Sequence, residues 1–147
     1  MRCRLIVACL ALTGACGAAT STSAPSGPVP SDGAFDQARA TKLGADAYGM
    51  RSYVIAFLRR GPTPAADPAT ATALQRAHLD NIGRLASQGQ LVLAGPFADD
   101  GDLRGIYVFA VATLAEAEAL TATDPAIAAG ALRLELHPWY GSAALLE

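Results

Sequence analysis

Residues Gln75–Phe97 read QRAHLDNIGRLASQGQLVLAGPF, and they place a helix, a stop and a strand in one short run. At about 100° per residue, with Leu74 at zero, Leu85 falls near 20°, His78 near 40° and Ile82 near 80°. Arg76, Asp80 and Arg84 fall between about 200° and 280° on the same count, facing water. A histidine therefore points inward with the leucines. Gly89 ends the helix, and Leu91 to Ala94 follow as a strand closed by Gly95-Pro96.

Outward from this run the same alternation of elements continues. Tyr53 to Leu58, YVIAFL, reads as a strand, followed by a proline-rich loop with Pro62, Pro64 and Pro68. Thr70 is the expected N-cap of the helix, which runs to about Gln88. After the turn ADDGDLRG, Ile106 to Val111 form a third strand, and Thr113 caps a second helix. Asp124-Pro125 opens a short turn or helix ending at Gly130. Leu132 to Leu136 form the last strand, which HPWY closes.

Strand, helix, strand, strand, helix, strand predicts an α+β fold: a ferredoxin-like βαββαβ antiparallel sheet with both helices on one face. The first and third strands are apolar at nearly every position, so both their faces are expected to be buried. Two helices cover only one face. A second copy of the sheet is the economical cover for the other, which predicts a homodimer; a tail or tether folded over it is the other solution.

The ends of the chain have a different composition. Residues 1–16, MRCRLIVACLALTGAC, carry two arginines, an apolar run from Leu5 to Leu12 and then small residues. This is the order of a signal peptide, too short to span a bilayer. Its end looks like a bacterial lipobox with Cys16 as the lipidated residue, although the leucine stands one place further from the cysteine than usual. The chain is expected to be exported, either lipid-anchored at the cell envelope or periplasmic or secreted, with no membrane contact beyond that anchor. Residues 17–49 are expected to be a flexible tether with a short helix between Ala34 and Gly44, and residues 50–147 the folded domain.

Composition narrows the chemistry. The three cysteines all lie in the first sixteen residues, so the mature domain has no internal disulfide and no thiol or cysteine–metal chemistry. Cleavage before Cys16 removes Arg2 and Arg4 from 11 basic residues, leaving nine against 13 acidic ones, a net charge of −4. No basic patch argues for nucleic acid. Asp99, Asp100 and Asp102 lack the glutamate that a calcium loop needs at its twelfth place, here Ala110, and read as a solvated turn. Two histidines, His78 and His137, without ligand spacing predict no metal. No phosphate loop, dinucleotide fingerprint or G-x-S-x-G is present, and no cofactor is expected.

Arg76-Ala77-His78-Leu79, Leu85, Gly89, Leu91, Ala94-Gly95-Pro96, Gly105, Glu116-Ala117, Asp124-Pro125 and Gly130 together resemble the YciI-like (YCII-related) proteins. The resemblance covers roughly residues 51–140. It implies a ferredoxin-like subunit that pairs as a dimeric α/β barrel, with a cleft holding a histidine and an aspartate as an acid–base pair. By position these are His78 and Asp124. The chain departs from the short cytoplasmic members in its export signal, its tether and the tail HPWYGSAALLE.

Each candidate also has a plainer role. His78 is a proton-transfer group near physiological pH or a satisfied core histidine. Asp124 orients the imidazole or caps the turn before Pro125, and the two roles are compatible because a cap uses only some of the carboxylate lone pairs. Arg76, Gly95, Pro96 and Trp139 are the candidate ligand-binding residues. For Gly95-Pro96 the plainer role is a strand-ending turn, and for Trp139 a hydrophobic plug. Two functions stay open. One is a small-molecule enzyme, hydrolase- or lyase-like, in which His78 moves a proton with help from Asp124. The other is a non-catalytic dimeric module that binds a small ligand or a partner at the envelope. A histidine in a wet cleft predicts a His78→Gln change within about ±0.5 kcal/mol of wild-type stability, whereas a bonded core histidine predicts a loss of about 1–3 kcal/mol.

Overall fold

The structure is a computed structural model and describes residues 35–147. The expected signal peptide, Cys16 and most of the expected tether lie outside the described residues. The elements are α1 (Gln37–Lys42), β1 (Met50–Arg60), α2 (Pro68–Ser87), β2 (Leu91–Pro96), β3 (Leu103–Phe109), α3 (Leu114–Thr121), α4 (Pro125–Ala128) and β4 (Leu132–Ser142), then a 3-10 turn, Ala143–Leu146. The sheet order is β2-β3-β1-β4, and every adjacent pair is antiparallel. This is the βαββαβ arrangement predicted from the strand and helix order.

Several boundaries move, each for a local reason. Asp67, not Thr70, caps α2: its Oδ1 accepts from the Thr70 backbone N–H at 2.8 Å and its Oδ2 from the Thr70 hydroxyl at 2.8 Å. Pro68 then sits in the first turn, where its missing N–H costs nothing. β3 starts three residues earlier than expected, at Leu103, because the turn's last residues already pair with β1 and β2. β4 does not stop at Leu136. It continues through His137, Pro138, Trp139 and Tyr140, paired with β1 as far as Met50–Ser142.

The compact unit begins at Phe35. The helix expected between Ala34 and Gly44 is α1, capped by Asp36 and followed by Gly44 at φ +64°. Ala40 is buried, and Arg39 pairs with Glu147 near the C-terminus.

The core lies between the sheet and its helices. Val54, Ala56 and Leu58 of β1 pack there with Tyr107 and Phe109 of β3, Leu91 of β2, Leu85 of α2 and Ala117 of α3. Burying a leucine such as Leu85 contributes about 1.5–3 kcal/mol. The alternate residues of β1 and β3, Tyr53, Ile55, Phe57, Ile106 and Val108, lie on the other face. Both faces of these strands are apolar, as the sequence indicates. On that second face Tyr53 and Val108 are buried, Ile55, Phe57 and Ile106 are half-buried, and Leu93 and Trp139 are exposed. Trp139 stands opposite Tyr53 with the ring centres 5.7 Å apart, and the Arg51 guanidinium lies over the Tyr53 ring.

Candidate functional site

Three elements converge on one buried carboxylate. Asp124 is fully buried at the N-cap of α4, where its Oδ1 accepts from the Ala126 N–H at 2.9 Å. Its Oδ2 is left for the interior. There it lies 2.8 Å from His78 Nδ1, supplied by α2. The Tyr107 hydroxyl of β3 donates to the same Oδ2 at 3.2 Å. The cap and the histidine partnership therefore coexist, one on each carboxylate oxygen.

With Asp124 as a carboxylate, the proton of this contact belongs to His78 Nδ1, and the tautomer that fits leaves the ring lone pair on Nε2. The Tyr107 oxygen is also close to the imidazole, 3.3 Å from Nε2. Burial first, then the charge of Asp124 and the hydrogen bond to it, push the Tyr107 phenol far above its usual pKa. Tyr107 is thus a fixed hydroxyl donor rather than an anion. What the arrangement can do is take a proton at Nε2, with Asp124 stabilising the imidazolium and holding its orientation.

His78 is only 8% exposed, yet it borders a cavity of about 290 Å³ between α2 and one end of the sheet. Leu58, Ile82 and Leu132 give this cleft apolar walls, with Gln75 and Leu79 on the α2 side. Gly95, Pro96, Arg104 and Gly105 line it from the paired ends of β2 and β3, and Tyr107 completes the lining beside His78. Gly105 is needed there: a Cβ on it would meet the Gly95 carbonyl oxygen at 2.8 Å, so the two strands approach too closely for a side chain.

The structure brings together His78, Asp124, Gly95 and Pro96 from the candidates chosen by sequence. It places Arg76 and Trp139 elsewhere. Arg76 is exposed and, as the helical count requires, opposite His78. Trp139 faces Tyr53 on the side of the sheet away from α2, because odd-numbered β4 residues share a face with Tyr53. His137 is on that same face, against Phe57 and bonded to Glu135. Asp102 pairs with Arg59 and Arg133.

Sequence reasoning missed Tyr107, Arg104 and Asn81. Asn81 is buried one turn after His78, and its Oδ1 accepts from the Arg84 guanidinium at 2.7 Å and the Thr123 hydroxyl at 3.0 Å. It fixes α2 to the residue preceding Asp124. Its Nδ2 has no partner among the described residues. The signal for Tyr107 is strand alternation, since Gly105, Tyr107 and Phe109 share the helix-facing side.

The sheet order defines a ferredoxin-like α+β domain, and its buried histidine–aspartate pair lies beside a cleft that His78 lines. The sequence profile of the YCII-related domain matches residues 52–140, more than half of the chain, and the chain belongs to that family. No curated protein matches its sequence. Among solved structures it is similar to a 5-chloro-2-hydroxyhydroquinone dehydrochlorinase (TftG) from Burkholderia phenoliruptrix AC1100 in complex with 2,5-dihydroxybenzoquinone. That likeness has 18% identity and a TM-score of 0.45, over 60% of this chain and 93% of the other. At this level it carries no functional information.

Proposed function

We propose that the domain is a small-molecule enzyme that uses His78 as general base and acid, with Asp124 as its partner, in hydrolase- or lyase-like chemistry. The carrying observation is the 2.8 Å contact between His78 Nδ1 and Asp124 in a histidine that borders a cavity. A histidine kept only for packing is commonly sealed on backbone groups; this one bonds to side chains and borders open space. His78 Nε2 accepts a proton from a substrate C–H or from attacking water and returns it to the leaving group or product. Asp124 holds the ring and offsets the positive charge, and the Tyr107 hydroxyl fixes the remaining Oδ2 lone pair.

The test is a turnover screen of small carbonyl and hydroxy-aromatic compounds with the wild type and His78→Gln. Removing a general base costs about 10²–10⁴ in rate. Turnover that survives His78→Gln unchanged rejects the proposal.

A further inference from the structure

We propose that Arg104 makes the cleft selective for small organic anions, a carboxylate or an acidic phenol or enol on an otherwise apolar frame of about one ring. This deepens the reading of the cleft as the reaction site and rests on it. The first observation is a bulge. Leu58 pairs with Gly105 and Arg59 with Leu103, so Arg104 stands opposite no β1 residue. Strict alternation from Gly105 would send its side chain to the other face of the sheet. Arg104 is instead the extra residue of a bulge, and it lines the same cleft as His78 and Tyr107.

The second observation is its charge state of affairs. Among the described residues no carboxylate forms an ion pair with Arg104, whereas the nearby Arg59 and Arg133 are both engaged by Asp102, and Arg59 by Glu135 as well. Arg104 uses Nη1 alone, toward the carbonyls of Gly101 at 3.3 Å and Asp99 at 3.5 Å. Those carbonyls hold the guanidinium without neutralising it, and Nε and Nη2 remain as a fork suited to a carboxylate. The rest of the lining is apolar or neutral apart from His78. Arg104 and Tyr107 are three residues apart on one strand, about 10 Å between backbone positions. An anionic group at Arg104 therefore leaves a single-ring frame reaching toward His78.

The experiment compares benzoate with benzamide, which has the same shape without the charge, by calorimetry and by NMR shifts of the His78 imidazole. Benzoate is expected to bind about tenfold or more tighter, the effect of one charge-assisted contact. Arg104→Gln is expected to remove the preference and Arg104→Lys to retain part of it, with NMR spectra of both variants confirming the fold. Equal binding of the two probes overturns the proposal. So does benzoate binding unchanged by Arg104→Gln, or no binding of benzoate at millimolar concentration. The two readings fail separately. A benzoate preference that persists while turnover ignores His78→Gln rejects only proton transfer. Benzamide binding as well as benzoate, with His78 still needed for turnover, rejects only anion selection.

Discussion

His78 and Asp124 are 46 positions apart in the chain and meet at 2.8 Å in the interior. The contact joins the long helix to a four-residue helix through the aspartate that starts it. Changes at Asp124 therefore act on local folding and on the imidazole at once, and different substitutions separate the two. Asp124→Asn keeps an oxygen for the Ala126 N–H and remains a good N-cap. Asp124→Ala loses the cap, about 1 kcal/mol, and strands the His78 and Tyr107 donors, about 1–3 kcal/mol more. Urea denaturation is expected to rank wild type above Asn above Ala. Both variants are expected to lose turnover, since neither retains the charge that supports the imidazolium. An Asn variant as unstable as Ala would contradict the division of labour between the two oxygens.

His78 is a case where the sequence argument offered two outcomes and the structure combines them. It faces a cleft, yet it is 8% exposed and bonded to a buried carboxylate. Of the two stability outcomes set out above, the bond to Asp124 makes the bonded-histidine one the expectation for His78→Gln. A glutamine amide places its nitrogen where Nε2 stood, not Nδ1, and Asp124 loses its closest donor. The loss is expected to be about 1–3 kcal/mol. His78→Asn places its amide near Nδ1 and is expected to recover part of that. Chemical denaturation of the two variants checks the order.

Tyr107 gives a pH dependence with a definite sign. Its folded-state pKa is raised, first by burial and then by Asp124. Below the unfolded value near 10 both states hold the proton and the full contribution is present. Above it the unfolded chain releases the proton while the folded domain keeps it, so stability falls with rising pH, by about 1.4 kcal/mol per unit for one such group. Tyr107→Phe is expected to flatten that slope. Tyr53, also raised by burial, retains a part of it. A slope identical in wild type and Tyr107→Phe would reject this account.

We propose that the domain pairs through the second face of its sheet. Ile55, Phe57 and Ile106 there are only half-buried, and Leu93 and Trp139 are exposed beside them. Light scattering at micromolar concentration is expected to give twice the chain mass, and Leu93→Arg to shift the mass toward one chain. A wild-type monomer under those conditions would remove the face-packed arrangement.

We also propose that Cys16 carries a lipid, on the strength of the basic, apolar and small-residue order that ends there. A clickable fatty acid fed to a bacterial host is expected to label the wild type. Equal labelling of Cys16→Ser would reject the anchor and leave plain secretion.

The strand order was legible because YVIAFL and IYVFAV are too uniformly apolar for surface loops and are spaced by helical runs with clear stops. His78 was legible from helical phase alone. From the residues alone Asp124 reads as a cap, and its pairing with His78 followed only from the family resemblance, because that contact depends on α4 lying beside α2 and no local pattern encodes it. Arg104 was hidden because it is the extra residue of a bulge, where strict alternation no longer assigns a face. Arg76 misled for the opposite reason. It stands two residues from His78 in the motif, but two residues on a helix are about 200° apart. Trp139 was misplaced because β4 was expected to end before it.

Pro138 lies in the middle of β4, opposite Val54, and β4 is an outer strand of the sheet. A proline has no N–H to give β1, so its position belongs to the row that faces outward. An eleven-residue outer strand is otherwise an open template on which another chain could add a strand. One missing donor at its centre interrupts that template, and the charged Arg133 and Glu135 sit on the same strand before it. The proline that sequence reading takes for the end of the strand thus acts as a guard against edge-to-edge aggregation, with no cost to the pairing on its inner side.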